Sequence, residues 1–251
     1  MFYGVPPGRE KDLQQALATI EDIYRGQFYC NDMIICLGRN LSFQYDPKFL
    51  SSFYESVTSD QERSLVWRLH TLVWAAKNAL LVEGDFVECG VFKGFCSGVI
   101  LKYLNFKDLS RQAYLYDTFA GLPEKTSTEE ERRTWDVYTQ YDPEEIYGSV
   151  CQKFSSYPNV NIVRGVVPDS FEIAVPEKIA FLHLDMNSEK AEMLALEYLF
   201  DRIVPGGMIV LDDFGWTSNA NQMKAELDFM TRRGHSVLEM PTGQGVVIKH
   251  A

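Results

Sequence analysis

Short apolar runs alternate with helix-like segments from residue 85 onward, and this alternation constrains the fold more than any other feature. The runs predicted as strands are Asp85–Val91, Ala113–Phe119, Val160–Val167, Ile179–Met186 and Met208–Phe214. Continuous apolar strands separated by helices require right-handed crossovers and a parallel sheet covered on both faces. A closing hairpin around Pro241-Thr242-Gly243 adds an antiparallel last strand. The sequence therefore predicts an α/β class, with a Rossmann-like, doubly wound sheet.

The first 60 residues differ from this pattern. A polar helix is predicted over Lys11–Arg25, and an irregular segment dotted with aromatic residues over Cys30–Tyr45. An amphipathic helix follows over Glu62–Val82, because its apolar residues recur at steps of three and four. We therefore divide the chain into two parts, an N-terminal extension (1–60) and a main domain (61–251). The extension is expected to act as a lid or as an oligomer contact. Apolar residues in the extension favour a homo-oligomer, a dimer or higher.

Charge and cysteine content exclude several functional classes. The net charge of −11 disfavours nucleic acid and anionic membrane surfaces as partners, because phosphate groups are repelled. The five cysteines are odd in number and show no CxxC spacing, which argues against a disulfide framework and a zinc site. With no signal-like or membrane-spanning segment, the expected location is cytoplasmic.

Acidic residues lie at the ends of four predicted strands. They are Glu88, Asp117, Asp185 and the pair Asp212-Asp213. Ligands of doubly wound sheets bind beyond the carboxyl ends of the strands, so these residues should meet at one site. Gly90 follows the first strand, where a glycine permits a tight turn and close approach of a ligand. The glycines at 90, 94 and 98 do not form the GxGxxG dinucleotide motif. An alternative interpretation is that these glycines serve only the turn and the packing of the helix.

Two of these acidic positions suggest specific chemistry. A carboxylate at Asp117 can accept hydrogen bonds from both ribose hydroxyls of a nucleoside, although a helix N-cap is an equally good interpretation. Asp185, Asp212 and Asp213 should come within a few ångströms, where like charges repel unless a cation binds them. Because Mg²⁺ prefers oxygen ligands, these three carboxylates are candidate magnesium ligands. The alternative interpretation is that they are helix caps and solvated loop residues.

Two further features allow a structural explanation. His183 faces the same side of its strand as Asp185, but a hydrogen-bonded core histidine is the preferred interpretation. The stretch Leu122–Ser155 carries Trp135, Tyr138, Tyr141 and Tyr147. Its length between two strands favours a lid, and a solvated helix whose aromatic residues pack down is an equal alternative.

Three long segments resemble a known family. GDFVECGVFKGF (Gly84–Phe95), YLYDTFAGLPE (Tyr114–Glu124) and the stretch Phe181–Trp216, which contains FLHLDMNSE and MIVLDDFGW, are similar to the macrocin O-methyltransferase (TylF-like) family. The resemblance implies a class I methyltransferase fold with seven strands, S-adenosylmethionine as cofactor and sugar hydroxyls of natural products as acceptors. Two departures concern the acceptor: Asp185-Met186-Asn187-Ser188 replaces Asp-x-Asp-Leu-Tyr, and Lys93-Gly94-Phe95 replaces Arg-Gly-Gly.

The same resemblance assigns roles to individual positions. It implies that Glu88 and Gly90 approach the methionine part of the cofactor, and that Asp117 holds the ribose. The residues implied for the adenine pocket are Thr118, Phe119, Gly165 and Val166. Asp185, Asp212 and Asp213 match the magnesium ligands.

The resulting hypothesis is an in-line methyl transfer to a hydroxyl held by Mg²⁺, with Asp185 also acting as general base. An alternative is a nucleoside-binding regulator or partner subunit that keeps the fold without turnover. A phosphoryl-group enzyme is disfavoured because no Gly-rich phosphate loop accompanies the acids. Methylation of a nitrogen would make the metal ligands superfluous.

Overall fold

The computed structural model describes residues 5–135 and 140–251, and a seven-stranded sheet forms its centre. Two short strands precede that sheet, β1 (Phe28–Asn31) and β2 (Ile34–Leu37). The strands of the central sheet are β3 (Asp85–Cys89), β4 (Ala113–Asp117), β5 (Val160–Arg164), β6 (Ile179–Leu184), β7 (Ile203–Leu211), β8 (Leu238–Glu239) and β9 (Gly245–Ile248). All five predicted parallel strands are confirmed. All five end two or three residues earlier than predicted, where the chain turns into a loop.

The helices connect and cover these strands. They are α1 (Glu10–Tyr24), α2 (Pro47–Tyr54), α3 (Asp60–Ser64), α4 (Val66–Ala79), α5 (Phe95–Leu104), α6 (Glu129–Thr134), α7 (Pro143–Lys153), α8 (Glu189–Leu199) and α9 (Ala220–Arg232). The single helix predicted over residues 62–82 is instead two, α3 and α4. They are separated at Leu65, whose backbone leaves the helical region. Within the described residues, no helix is both long and apolar enough to cross a membrane.

The strand order places a switch point at the centre of the sheet. The order is β5-β4-β3-β6-β7-β9-β8, with β3 to β7 parallel and β9 antiparallel to β7. The chain winds outward from β3 in one direction and from β6 in the other, so a crevice opens between their carboxyl ends. The predicted doubly wound sheet with an antiparallel last strand is confirmed.

Alternating side chains of the strands divide the core between the two faces of the sheet. Phe86 and Phe181 pack with α2, α4 and α5 on one face, whereas Val87 and Leu182 pack with α8 and α9 on the other. Successive residues of a strand point to opposite faces, so continuous apolar strands fill both layers. Phe49 of α2, in the predicted extension, belongs to the same apolar cluster as α4. The division at residue 60 stays a prediction.

The prediction of an irregular segment over Cys30–Tyr45 was wrong. β1 and β2 pair antiparallel in a hairpin, with Asn31 opposite Ile34. The two turn residues, Asp32 and Met33, both have positive φ, at 49° and 62°. This is the backbone of a type I′ turn, which usually carries Asn or Gly, so the sequence gives little sign of it.

Candidate active site

A cavity of about 400 Å³ lies at the carboxyl ends of β3, β4 and β6. Seven of the ten predicted site residues line it: Gly90, Asp117, Thr118, Phe119, Gly165, Val166 and Asp185. Glu88, Asp212 and Asp213 are buried behind it rather than lining it. The sheet therefore brings together residues from four strand ends that are up to 95 positions apart in sequence, as the topology requires.

Gly90 permits the closest approach within this wall. It has a φ of +93°, and a Cβ atom there would lie 1.8 Å from the backbone carbonyl oxygen of Asp185. The loop after β3 thus passes directly against the loop after β6. Any side chain at this position would separate the two strand ends that form the crevice.

Asp117 holds the loop that follows β3. Its Oδ2 accepts hydrogen bonds from the backbone N–H groups of Val91 and Phe92, at 2.7 Å each, and its Oδ1 accepts one from Phe119 N–H at 2.6 Å. Burial raises the pKa of Asp117 above its ordinary value, and these N–H groups oppose that rise. The structure therefore supports a third interpretation beside ribose binding and helix capping, a carboxylate that shapes the glycine loop. Both lone-pair sites of Oδ2 are used by these bonds, whereas Oδ1 keeps one for a ligand.

The next positions complete one side of the cavity. Thr118 Oγ donates a hydrogen bond to the Gly121 carbonyl oxygen at 2.8 Å, and the buried Phe119 ring contacts Tyr147 of α7 with centroids 5.2 Å apart. Gly165 and Val166, after β5, lie on the same lining. Phe119, Gly165 and Val166 give this side of the cavity an apolar lining, which suits a flat aromatic ring.

Glu88 is part of a buried polar chain rather than of the cavity wall. It accepts a hydrogen bond from Ser97 Oγ, and its Oε1 lies 2.9 Å from His183 Nδ1. The other ring nitrogen, His183 Nε2, lies 3.4 Å from Asp212 Oδ1. Burial lowers the pKa of His183, but the hydrogen bonds to Asp212 and Glu88 outweigh it and raise the pKa well above the ordinary value. The interpretation of His183 as a hydrogen-bonded core residue agrees with these contacts.

Asp185 and Asp212 form an acidic pair with His183. One possible ligand atom from each of the three residues lies within 4.8 Å of the others. Burial, followed by the charges of Asp212 and Asp213, raises the pKa of Asp185 well above its ordinary range. Burial would also raise the pKa of Asp212, but Arg68 and His183 hold it below its usual range. Two carboxylates this close are stabilised by a cation between them.

Asp213 does not belong to that group. Its Oδ2 is buried without a hydrogen-bond partner among the described residues. Burial and then the charge of Asp212 raise its pKa to about 8, and Glu192 of α8 adds to the rise. The three predicted magnesium ligands are thus near neighbours, but only Asp185 and Asp212 share the compact group with His183. The triad stays a prediction.

The structure also identifies cavity residues that the sequence analysis missed. They are Thr58, Ser59, Gln61, Glu62 and Leu65, and they join Trp135 and Tyr141, which the sequence analysis had placed in the predicted lid. Two capping boxes mark these regions in the sequence, Ser59 with Glu62 and Thr128 with Glu131. Both are readable as S/T-x-x-E, so this signal was available. Tyr138 of the predicted lid lies outside the described residues.

Glu131 fastens residues 126–135, the covering segment, to the loop after β6. Its Oε1 accepts a hydrogen bond from Glu189 N–H at 2.9 Å, at the start of α8, and its Oε2 accepts one from Ser188 Oγ at 3.3 Å. The single Ser188 proton is shared with the Thr126 carbonyl oxygen, which lies closer, at 2.5 Å. The segment is therefore held beside Asp185, a position that favours a lid over a solvated helix.

The sequence model of the macrocin-O-methyltransferase (TylF) family matches residues 67–238, which include every predicted site residue. The chain belongs to this family. It is 30% identical over 161 residues to mycinamicin III 3''-O-methyltransferase of Micromonospora griseorubida, a match that covers 59% of this chain and 62% of that relative. It is 26% identical over 178 residues to the 8-demethyl-8-(2,3-dimethoxy-alpha-L-rhamnosyl)-tetracenomycin-C 4'-O-methyltransferase of Streptomyces olivaceus, covering 67% of each.

Solved structures agree on the fold. The O-methyltransferase NovP superposes with a TM-score of 0.62 at 17% identity, covering 74% of this chain and 81% of its own. The SAH-bound methyltransferase PaMTH1 of Podospora anserina superposes with a TM-score of 0.56 at 10% identity, covering both chains in full. At these identities the comparison establishes a class I methyltransferase fold and nothing about individual residues.

Proposed function

We propose that this protein is an S-adenosylmethionine-dependent O-methyltransferase whose acceptor is a hydroxyl of a sugar or of a sugar-containing natural product. The observation that carries the proposal is the position of Asp185, which lines the same cavity as Gly90, Asp117 and Phe119. The residues proposed to bind the cofactor and the acidic residue proposed to act on the acceptor thus line the same cavity. The names of the two curated relatives, both sugar O-methyltransferases, agree with this acceptor class.

The cavity residues divide the work of the reaction. Asp117 binds the ribose through the free lone pair of Oδ1, the apolar lining around Phe119, Gly165 and Val166 takes the adenine, and Gly90 lets the methionine part pass close to the backbone. The acceptor oxygen attacks the sulfonium methyl in line: the O–C bond forms, the C–S bond breaks, and the hydroxyl proton passes to Asp185. Because the methyl group is already activated, orientation supplies much of the rate. The side chains of Trp135 and Tyr141, which line the cavity, exclude water from it.

A divalent cation fits the acidic group beside the cavity. Asp185 and Asp212 offer carboxylate oxygens within 4.8 Å of each other. The Oδ2 of Asp213, next in sequence to Asp212, has no hydrogen-bond partner among the described residues and is a third hard oxygen donor. Mg²⁺ prefers this donor chemistry. We propose that Asp185 and Asp212 hold Mg²⁺, with Asp213 as the third candidate ligand; the ion would lower the pKa of the acceptor hydroxyl.

Calorimetry with three variants tests this proposal. S-adenosylmethionine is titrated into metal-stripped protein, and methyl transfer to a panel of free and glycosidic sugars is then followed with and without Mg²⁺. Asp185→Asn should abolish transfer and leave cofactor affinity within twofold, whereas Asp117→Ala should weaken cofactor binding. Asp228→Asn, an exposed change on α9, is the matched control.

Each part of the proposal fails on a different result. Full transfer by Asp185→Asn would refute the role of Asp185, and transfer that ignores Mg²⁺ would refute the metal. Cofactor binding without transfer to any hydroxyl would favour a nucleoside-binding regulator that lacks turnover. No cofactor binding at all would leave only the fold.

A further inference from the structure

Arg68 of α4 joins three distant parts of the chain on one guanidinium group. Its Nη1 donates to Asp212 Oδ2, and its Nε lies 3.3 Å from Asp32 Oδ2. The guanidinium carbon lies 5.3 Å from the ring centroid of Trp216. Arg68 is only 8% exposed, and Asp32 only 2%. A buried guanidinium persists only when its charge and donors are paired, so this contact is a built feature of the interior.

The contact with Arg68 fixes how Asp212 is oriented. The opposite oxygen, Asp212 Oδ1, accepts a hydrogen bond from Gln244 Nε2 at 2.7 Å and lies 3.4 Å from His183 Nε2. The carboxylate of Asp212 is therefore held from both sides. Asp185, in contrast, lines the open cavity. The geometry of the acidic pair thus depends on Arg68 through Asp212.

The other partner, Asp32, brings the N-terminal hairpin to the same point. It lies in the turn between β1 and β2, where Asp32 and Met33 both adopt positive φ. For residues other than glycine this backbone is unfavourable, and a two-stranded hairpin alone is marginally stable. The buried Asp32–Arg68 pair offsets that cost only when the hairpin lies against α4.

We propose that Arg68 is a positioning residue, which aims Asp212 beside Asp185 and, through Asp32, holds the hairpin against the active site. The N-terminal segment then acts as part of the catalytic unit rather than as a separate extension. The catalytic half of this inference rests on the proposed function. The structural half, the docking of the hairpin, does not.

Four variants separate the two halves. Asp32→Asn removes one charge from the hairpin and leaves the Arg68–Asp212 contact in place. Arg68→Met removes the cation at similar length, and Arg68→Lys restores a charge that can satisfy only one of the two carboxylates well. Arg232→Lys, at an exposed site at the end of α9, is the matched control. The measurements are amide hydrogen exchange over residues 28–37, cofactor affinity, and kcat and KM for transfer.

The hairpin should exchange at least tenfold faster in both Asp32→Asn and Arg68→Met. Arg68→Met should also lose at least 100-fold in kcat with cofactor affinity within threefold, because the contacts described for Arg68, to Asp212, Asp32 and Trp216, involve no residue of the cofactor side. Arg68→Lys should recover part of that kcat. This split between kcat and cofactor affinity, with rescue by lysine, is what a general loss of structure would not produce.

Other results overturn the inference. Unchanged exchange in both Asp32→Asn and Arg68→Met would refute the docking. An Arg68→Met kcat within twofold of the parent, or a loss of cofactor affinity as large as the loss of kcat, would refute the positioning of Asp212. If the parent protein neither binds cofactor nor transfers methyl, the proposed function fails, and hydrogen exchange alone still decides the hairpin docking.

Discussion

Replacing Glu226 by glutamine should stabilise the protein at alkaline pH and much less at acidic pH. Glu226 of α9 and Glu192 of α8 are fully buried and in contact, and each has an oxygen, Oε2, without a partner among the described residues. Burial raises the pKa of Glu226 from 4.5 to about 7, although hydrogen bonds to Glu192 and Gln222 oppose this rise. Above that pH, folding forces a charge into the apolar layer between α8, α9 and the sheet.

The sign and size follow from proton linkage. Between about pH 4.5 and pH 7 the folded chain retains a proton that the unfolded chain releases, so the free energy of unfolding falls as pH rises through this window. A shift from 4.5 to about 7 corresponds to about 3 kcal/mol at about 1.36 kcal/mol per unit. Glu226→Gln removes this loss. The glutamine amide can also donate to Glu192 while its carbonyl keeps the bond from Gln222, which Glu226 now accepts at 3.3 Å.

Urea unfolding at pH 5 and pH 8 measures the effect. The stability difference between Glu226→Gln and the parent should grow by ~2–3 kcal/mol between the two pH values. With an m-value of about 2–3 kcal/mol per molar, the difference between the two midpoints should change by roughly 1 M. Asp228→Asn, exposed on the same helix, should show no such growth. A difference between Glu226→Gln and the parent that is the same at both pH values would refute a raised pKa at Glu226.

Three other substitutions have defined outcomes. Gly90→Ala should cost roughly 2 kcal/mol or more in thermal unfolding and abolish cofactor binding, because its Cβ would collide with the backbone of the β6 loop; an unchanged Tm would contradict this. Asp117→Ala should weaken cofactor binding at least tenfold by calorimetry, since three loop N–H groups lose their acceptor; parental affinity would contradict it. Glu131→Ala should raise the acceptor KM and the rate of proteolysis within the covering segment, because the hydrogen bonds to Ser188 and Glu189 are lost. Glu129→Ala, exposed on α6, is the control and should change neither.

The parallel strands were predictable because their signal is local. Runs such as Ile179–Leu184 are continuously apolar, which only a strand covered on both faces tolerates. The strand ends were predicted two or three residues too long because residues such as Asp185 and Asp212 follow their strands without a break in the sequence pattern. Placing acids at those ends was enough to predict where the cavity lies, since the carboxyl ends of parallel strands share one edge.

The orientation of the acids was less predictable. Asp212 and Asp213 are adjacent in sequence, and adjacent residues near the end of a strand face different sides. The structure accordingly directs Asp212 to His183 and Arg68, whereas the charge of Glu192 acts on Asp213. Sequence spacing alone does not say which of the two faces the crevice. Which of the two faces a ligand depends on the last turn of backbone after β7.

Arg68 shows why the remaining contacts were out of reach of a sequence pattern. It stands beside the apolar stripe of α4, where a charged residue would ordinarily mark the solvated edge of a helix. Its carboxylate partners lie 36 and 144 positions away, one in a hairpin turn that the sequence does not announce. Burying an arginine is unfavourable until both partners are present, so its position is a consequence of the completed fold. A local sequence pattern predicts α4, but the ion pairs that stabilise Arg68 in the interior form only once the hairpin and the end of β7 lie beside it.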